Sequence, residues 1–208
     1  MRKLTLTLLA VLFLAPAYSQ VKIGIKIAPG FLNNRTFVKP DSIHISNRGL
    51  LFKIPFGVFF DFPFTERYYF TTGANLVGKV SDLRYRVGNS PSQHEKIRMQ
   101  YIQVPLTLKL MTDEVGIDKR LYFQFGPALE VLINNKSDSE KYIQKVLLGD
   151  ISFQFAGGVD IKIGPNSSMC VGISYYRGLL NIVRENTLPA NDFSVKNDMF
   201  LLEIGIRP

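Results

Sequence analysis

The chain has 208 residues, a formal net charge of +8, 46% hydrophobic residues, one cysteine and no tryptophan. That length suits one domain, and the lone Cys170 excludes an intramolecular disulfide. Beyond the first twenty residues no stretch approaches the ~18 consecutive apolar residues of a spanning helix, so that architecture is excluded too.

Arg2 and Lys3 precede an apolar run from Leu4 to Ala15, and Ala17-Tyr18-Ser19 offers small residues at the positions a signal peptidase reads. Residues 1–19 therefore read as a secretory signal peptide and 20–208 as the mature domain. The apolar run is shorter than the ~20 residues a bilayer requires, which argues against an anchor. The residue directly after the cleavage site is Gln20 and not cysteine, so no lipid-modified N-terminus is expected. Losing Arg2 and Lys3 lowers the charge from +8 to +6. For an exported protein that excess points to anionic lipid head groups and not to nucleic acid.

The mature chain alternates with period 2 throughout, the mark of strands with one apolar face. Val21, Ile23, Ile25 and Ile27 alternate with Lys22, Gly24, Lys26 and Ala28, and Phe52 to Phe62 continues the pattern around Lys53, Gly57 and Asp61. Further strands run over residues 68–80, 102–110, 121–131, 151–163, 169–175 and 200–206, giving eight in all. Residues 63–67, 112–119 and 164–168 read as short turns; 33–49, 82–96, 134–149 and 183–197 read as long polar loops. Strict long-short alternation puts every long loop at one end of an up-and-down barrel and both termini at the other. Membrane barrels show this asymmetry, with short periplasmic turns and long external loops.

A soluble ligand-binding barrel of the lipocalin type alternates as well, with its apolar face inward. The polar face separates the two cases. It carries Gly24, Gly57, Gly73, Gly126, Gly158, Gly172 and Gly205, and glycine in a strand marks close approach to the backbone. A crowded lumen supplies that reason, and unbroken Ile, Val, Leu and Phe on the other face suits hydrocarbon. The expected fold is an all-β, eight-stranded antiparallel up-and-down transmembrane β-barrel.

The inward set then contains Lys22, Lys26, Lys53, Lys79, Lys109, Lys162 and Arg207 against Asp61, Glu130, Asp160 and Glu203. An eight-stranded barrel is just wide enough for side chains to fill, so these charges should pair across the lumen. Phe59, Tyr122 and Tyr176 add bulk. A plugged interior is expected, with a narrow anion path along the lysines as the alternative. Apolar residues switch from even to odd positions at Leu83, Tyr85 and Val87, and from odd to even after Tyr101, which predicts paired bulges in a hairpin continuing past the bilayer. Its protruding edge could bind proteins by strand addition. Arg35, Lys39, Arg48, Arg84, Arg86, Lys96 and Arg98 form a basic external rim suited to lipopolysaccharide phosphates. Tyr68, Tyr69, Tyr101 and Tyr175 are candidates for an aromatic girdle.

The opening strand Val21-Lys22-Ile23-Gly24-Ile25-Lys26, the run Tyr101-Ile102-Gln103-Val104-Pro105-Leu106-Thr107-Leu108-Lys109, Gly126-Pro127, Gly157-Gly158 and Tyr176-Arg177-Gly178-Leu179-Leu180-Asn181 carry a family likeness. Through them the chain resembles the PorT-like outer-membrane β-barrel family of Bacteroidetes. The resemblance implies an outer-membrane barrel with periplasmic termini and, through the namesake, a link to type IX protein secretion among envelope proteins.

Chemistry finds little support. A nucleophile needs a base within hydrogen-bond reach and a third group to orient it. His44 and His94 are the only histidines, each in a long loop among serines. Two histidines and one cysteine do not make a zinc set. No enzymatic activity and no cofactor are expected.

Overall fold

The computed structural model describes residues 21–39, 43–47, 49–87, 93–137, 143–186 and 192–208. The signal-peptide segment 1–19 and Arg48 lie outside them. No helix among the described residues is long and apolar enough to cross a membrane; the chain is built from strands.

β1 (Lys22–Ile27) continues into β2 (Gly30–Lys39), and β4 (Leu51–Lys53) into β5 (Phe56–Pro63). The two breaks fall at Pro29 and Pro55, which lack the N–H a ladder needs. The carbonyls keep the walls joined: Ala28 N–H donates to Pro55 O and Leu202 N–H to Pro29 O, each at 2.8 Å. β6 (Tyr68–Val87), β7 (Gln93–Gly116), β8 (Lys119–Ser137), β10 (Gly149–Lys162), β11 (Ser168–Gly178) and β13 (Asp192–Arg207) supply the other walls. Each wall pairs antiparallel with the next, and β13 closes the ring on β1 (Ile25 opposite Ile206) and on β2 (Phe31 opposite Phe200). The thirteen strands among the described residues therefore include the eight expected walls.

Ladder partners give the barrel its tilt. From Phe62 the path runs through Phe70, Leu108, Phe125, Phe155, Tyr175, Phe200 and Phe31 to Phe52. One circuit thus returns to the starting wall ten residues away, the difference between 62 and 52. Eight strands staggered by ten residues tilt about 40° from the barrel axis. Apart from Leu108 the path is also an outward aromatic stripe, climbing from the short-turn end at Phe62 to the long-loop end at Phe52.

Outward residues form a continuous apolar belt: Ile25 is 63% exposed, Phe56 55% and Phe200 52%. Asp61, Gln154 and Tyr101, which face inward, are each 0% exposed. This inside-out distribution is the reverse of a lipocalin and removes that alternative. On β7 the belt covers Ile102 to Leu110, and the next outward residues are Gln100 and Thr112. Nine residues at ~3.4 Å, tilted about 40°, stand roughly 23 Å tall, close to the ~25 Å band of outer-membrane barrels.

The described parts of the connections contain more strand than expected. The turn read at 112–119 is only Ile117-Asp118, because β7 runs to Gly116 and Asp118 takes a left-handed φ of 58°. The first long loop contains the end of β2 and β3 (Ile43–Asn47), which pairs with the end of β6, Ile43 opposite Val87. β6 and β7 stay paired out to Tyr85 opposite Gln93. β9 (Ile143–Val146) and β12 (Val183–Asn186) join the last two loops in a two-stranded sheet.

The expected paired bulges are absent between β6 and β7, whose register is unshifted from Tyr68 to Tyr85. The shift lies between β7 and β8, at Gln100/Tyr101. Odd residues of β7 face inward along its described length, from Ile97 to Met111. What inverts is the environment: beyond the belt the interior becomes apolar, so Val77, Ile97, Met99 and Tyr101 are buried there. The same geometry corrects the girdle. Tyr68 and Tyr175 face outward, whereas Tyr69 and Tyr101, on inward positions, are 5% and 0% exposed.

Candidate functional site: the charged lumen and the cationic rim

Glycines make room for the large lumen side chains. A Cβ on Gly172 would lie 2.3 Å from the Tyr122 hydroxyl, and one on Gly24 2.3 Å from the Phe59 ring. Those two rings, with Tyr69, Met111 and Cys170, form an apolar layer toward the short-turn end. Gly126 adopts φ +153°, where a Cβ would meet Leu106 O at 2.4 Å. Small residues thus exchange strand stability for closeness, as the glycine-rich polar face led one to expect.

The charges pair in three groups. Toward the short turns Asp61 accepts from Thr71 Oγ1 at 2.5 Å, Lys109 Nζ at 3.1 Å and Arg207 Nη1 at 2.7 Å. Arg207 also engages Asp160 through Nη2 and donates from Nε to Ser168 at 2.9 Å. Lys109 lies over the Tyr122 ring, 4.9 Å from its centroid. Midway, Lys26 pairs with Glu203 at 3.2 Å, and Tyr176 donates to the same carboxylate oxygen at 3.4 Å. Toward the long loops Lys79 is clamped between Glu130 and Asp150, the latter at 3.1 Å. Glu130 also accepts from Gln103 at 2.9 Å and Ser152 at 3.0 Å, and Asn75 donates to Gln103 at 3.2 Å.

Four cations therefore meet five carboxylates in the paired lumen of the described residues. That balance removes the cationic lining an anion path requires. Lys22 and Lys162 are exposed at the short-turn mouth, Lys22 with its Nζ 5.6 Å from the Tyr69 centroid. Lys53 is half-buried near Gly78. No ion pair among the described residues includes these three lysines. Asp150 went unanticipated because it follows Gly149, at what reads as a loop end.

A cavity of about 10 Å³ lies among Lys26, Asn75, Gln103, Tyr176 and Glu203, room for at most about one water. A far larger apolar hollow of about 720 Å³ lies on the wall, over Ile25, Ile27, Phe56, Val58 and Ile204.

Among the described residues, the rim side chains of Arg35, Lys96 and Arg98 take separate settings. Arg35 grips Asp198 with two nitrogens, Nε at 2.6 Å and Nη2 at 2.9 Å, and donates to Gly178 O at 2.8 Å. Asp198 also accepts from the Tyr175 hydroxyl at 3.1 Å. Like Asp150, it stands where the sequence reads as a loop end, after Asn197. Arg98 is exposed and lies opposite Lys136 on β8; Lys96 is half-buried. Lys39 belongs to β2, and Arg84 and Arg86 to β6, where they face Ser46 and His44 of β3; their side chains lie outside the described residues. His94, opposite Arg84, is placed by its backbone alone.

A closed antiparallel ring with hydrocarbon outside and paired charge inside is a membrane β-barrel of the outer-membrane type. The chain belongs to the outer membrane protein beta-barrel domain family, whose model matches residues 17–184. Its fold is similar to that of the outer membrane protein OprG from Pseudomonas aeruginosa, with a TM-score of 0.58 and 9% identity over 91% of this chain and 98% of that one. Neisserial surface protein A matches with a TM-score of 0.50 and 12% identity over 90% and 95%. No curated protein sequence matches the chain. It is a small bacterial outer-membrane β-barrel protein.

Proposed function

We propose that the barrel is a closed anchor whose role is recognition in the envelope, with its long-loop end at the cell surface and its short turns and both termini in the periplasm. The observation that carries this reading is the lumen, where large side chains and ion pairs meet across the interior and the cavity beside Lys26 and Glu203 measures about 10 Å³. A barrel so filled is suited to holding something outside the membrane. What it holds is a four-stranded blade, β3-β6-β7-β8, because the β7 residues from Gln93 to Gln100 continue past the belt. Eight residues at ~3.4 Å, tilted about 40°, lift the blade roughly 20 Å above the membrane. Exposed strand edges of this kind accept a strand from a partner protein.

The resemblance to PorT-like barrels favours an envelope or type IX secretion complex as the source of that partner, with lipopolysaccharide and outer-membrane lipids around the wall. The test is conductance across a planar bilayer. The folded protein is expected to leave the baseline unchanged, and discrete current steps would overturn the closed-anchor reading. A variant with residues 82–96 replaced by an Asn-Gly turn should still insert and keep its lumen. It should fail to co-purify with whatever envelope protein the intact chain retains; unchanged retention would remove the blade from the argument.

A further inference from the structure

We infer that the wall formed by β11, β13 and β2 carries a binding cleft for the phosphorylated headgroup of an outer-leaflet lipid. The inference rests on the reading that the long-loop end faces the cell surface. The cleft has a volume of about 290 Å³ and is lined by Arg35, Phe37, Ser194 and Lys196 with Thr36. Arg35 and Lys196 face each other directly across the β2–β13 ladder.

Three features favour a lipid phosphate. The first is depth: Arg35 stands four residues beyond Phe31, and Lys196 four residues before Phe200, in the chain direction that leaves the belt. Four residues of tilted strand place both cations about 10 Å past that aromatic pair, at the headgroup layer that flanks the hydrocarbon core. The second is preorganisation. Arg35 is already held by Asp198 and Gly178 O, and Tyr175 fixes Asp198 in turn, so a phosphate meets a guanidinium whose ordering has been done within the fold. The third is charge. Arg177, exposed on β11 opposite Asp198, joins Arg35 and Lys196, leaving three cations against one carboxylate. Phe37, 55% exposed, offers an apolar surface beside them.

The test uses the full barrel in detergent, with retention of bisphosphorylated lipid A and of its dephosphorylated form measured by native mass spectrometry. Wild type is expected to retain the phosphorylated lipid preferentially. Lys196→Gln combined with Arg177→Gln should weaken that retention about fivefold per cation, near 25-fold in all, at low salt. The pair Arg67→Gln and Lys119→Gln, exposed at the opposite end, removes the same charge and should change nothing. Equal retention of both lipids, or an equal loss in the opposite-end pair, would overturn the cleft. Displacement by excess inorganic phosphate would overturn the assignment to a lipid. Heat-modifiable migration separates these results from a failure of the fold: variants that keep it report on the cleft, while its absence in wild type would refute the membrane barrel itself.

Discussion

Lys79→Met removes the cation between Glu130 and Asp150, and its cost can be worked from the structure. The side chains of Lys79, Glu130 and Asp150 are all at most 1% exposed. Removing one partner of a buried pair leaves charge without compensation and costs about 3–5 kcal/mol. Here two carboxylates lose the same partner, so the upper half of that range is expected, around three decades in the unfolding equilibrium. Glu130 keeps Gln103 and Ser152 as donors, which bounds the loss. The assay is urea unfolding in lipid vesicles followed by circular dichroism and heat-modifiable migration, since the chain has no tryptophan to report by fluorescence. The triple variant Lys79→Met, Glu130→Gln, Asp150→Asn keeps the polar shapes without charge and should recover most of the loss. A single variant costing under ~1 kcal/mol, or a triple variant no better than the single, would refute the clamp.

Three further outcomes follow from the same geometry. Gly172→Ala should cost about 1–3 kcal/mol by displacing Tyr122, and Tyr122→Phe in that background should restore part of it; an additive double variant would show that the two do not meet. Ile27→Arg should cost about 2–4 kcal/mol because it puts a charge at mid-belt, whereas Ile117→Arg, in a turn where Ile117 is 89% exposed, should leave unfolding unchanged. Cys170 is buried against the lumen layer, so a charged thiol reagent should label it only at the rate of unfolding; immediate labelling of the folded barrel would show an open lumen.

Which residues face inward was legible, because period 2 and charge together identify Lys26, Asp61, Lys109, Glu130 and Arg207. Which residues pair was not. Lys26 meets Glu203 and Arg207 meets Asp61 across 177 and 146 positions of chain. Those meetings depend on the ten-residue stagger around the ring, a property of closure that no local pattern encodes. Asp150 and Asp198 escaped for a different reason. Beside Gly149 and Asn197 an aspartate reads as turn chemistry, and only the ladder shows that β10 and β13 are already running there.

The apolar switch after Tyr101 shows why one sequence signal can have two physical origins. A bulge moves side chains to the other face by inserting a residue. A change of solvent leaves the faces alone and alters which one must be apolar. Within the belt hydrocarbon lies outside, so Ile102 is outward and Gln103 inward. Beyond it water lies outside, so Arg98 is exposed while Ile97 and Met99 are buried. The unshifted β6–β7 ladder decides for the second origin at this hairpin. The switch therefore marks where the long-loop edge of the apolar belt falls on β7, between Gln100 and Ile102, and the same level divides the anchor from the blade it carries.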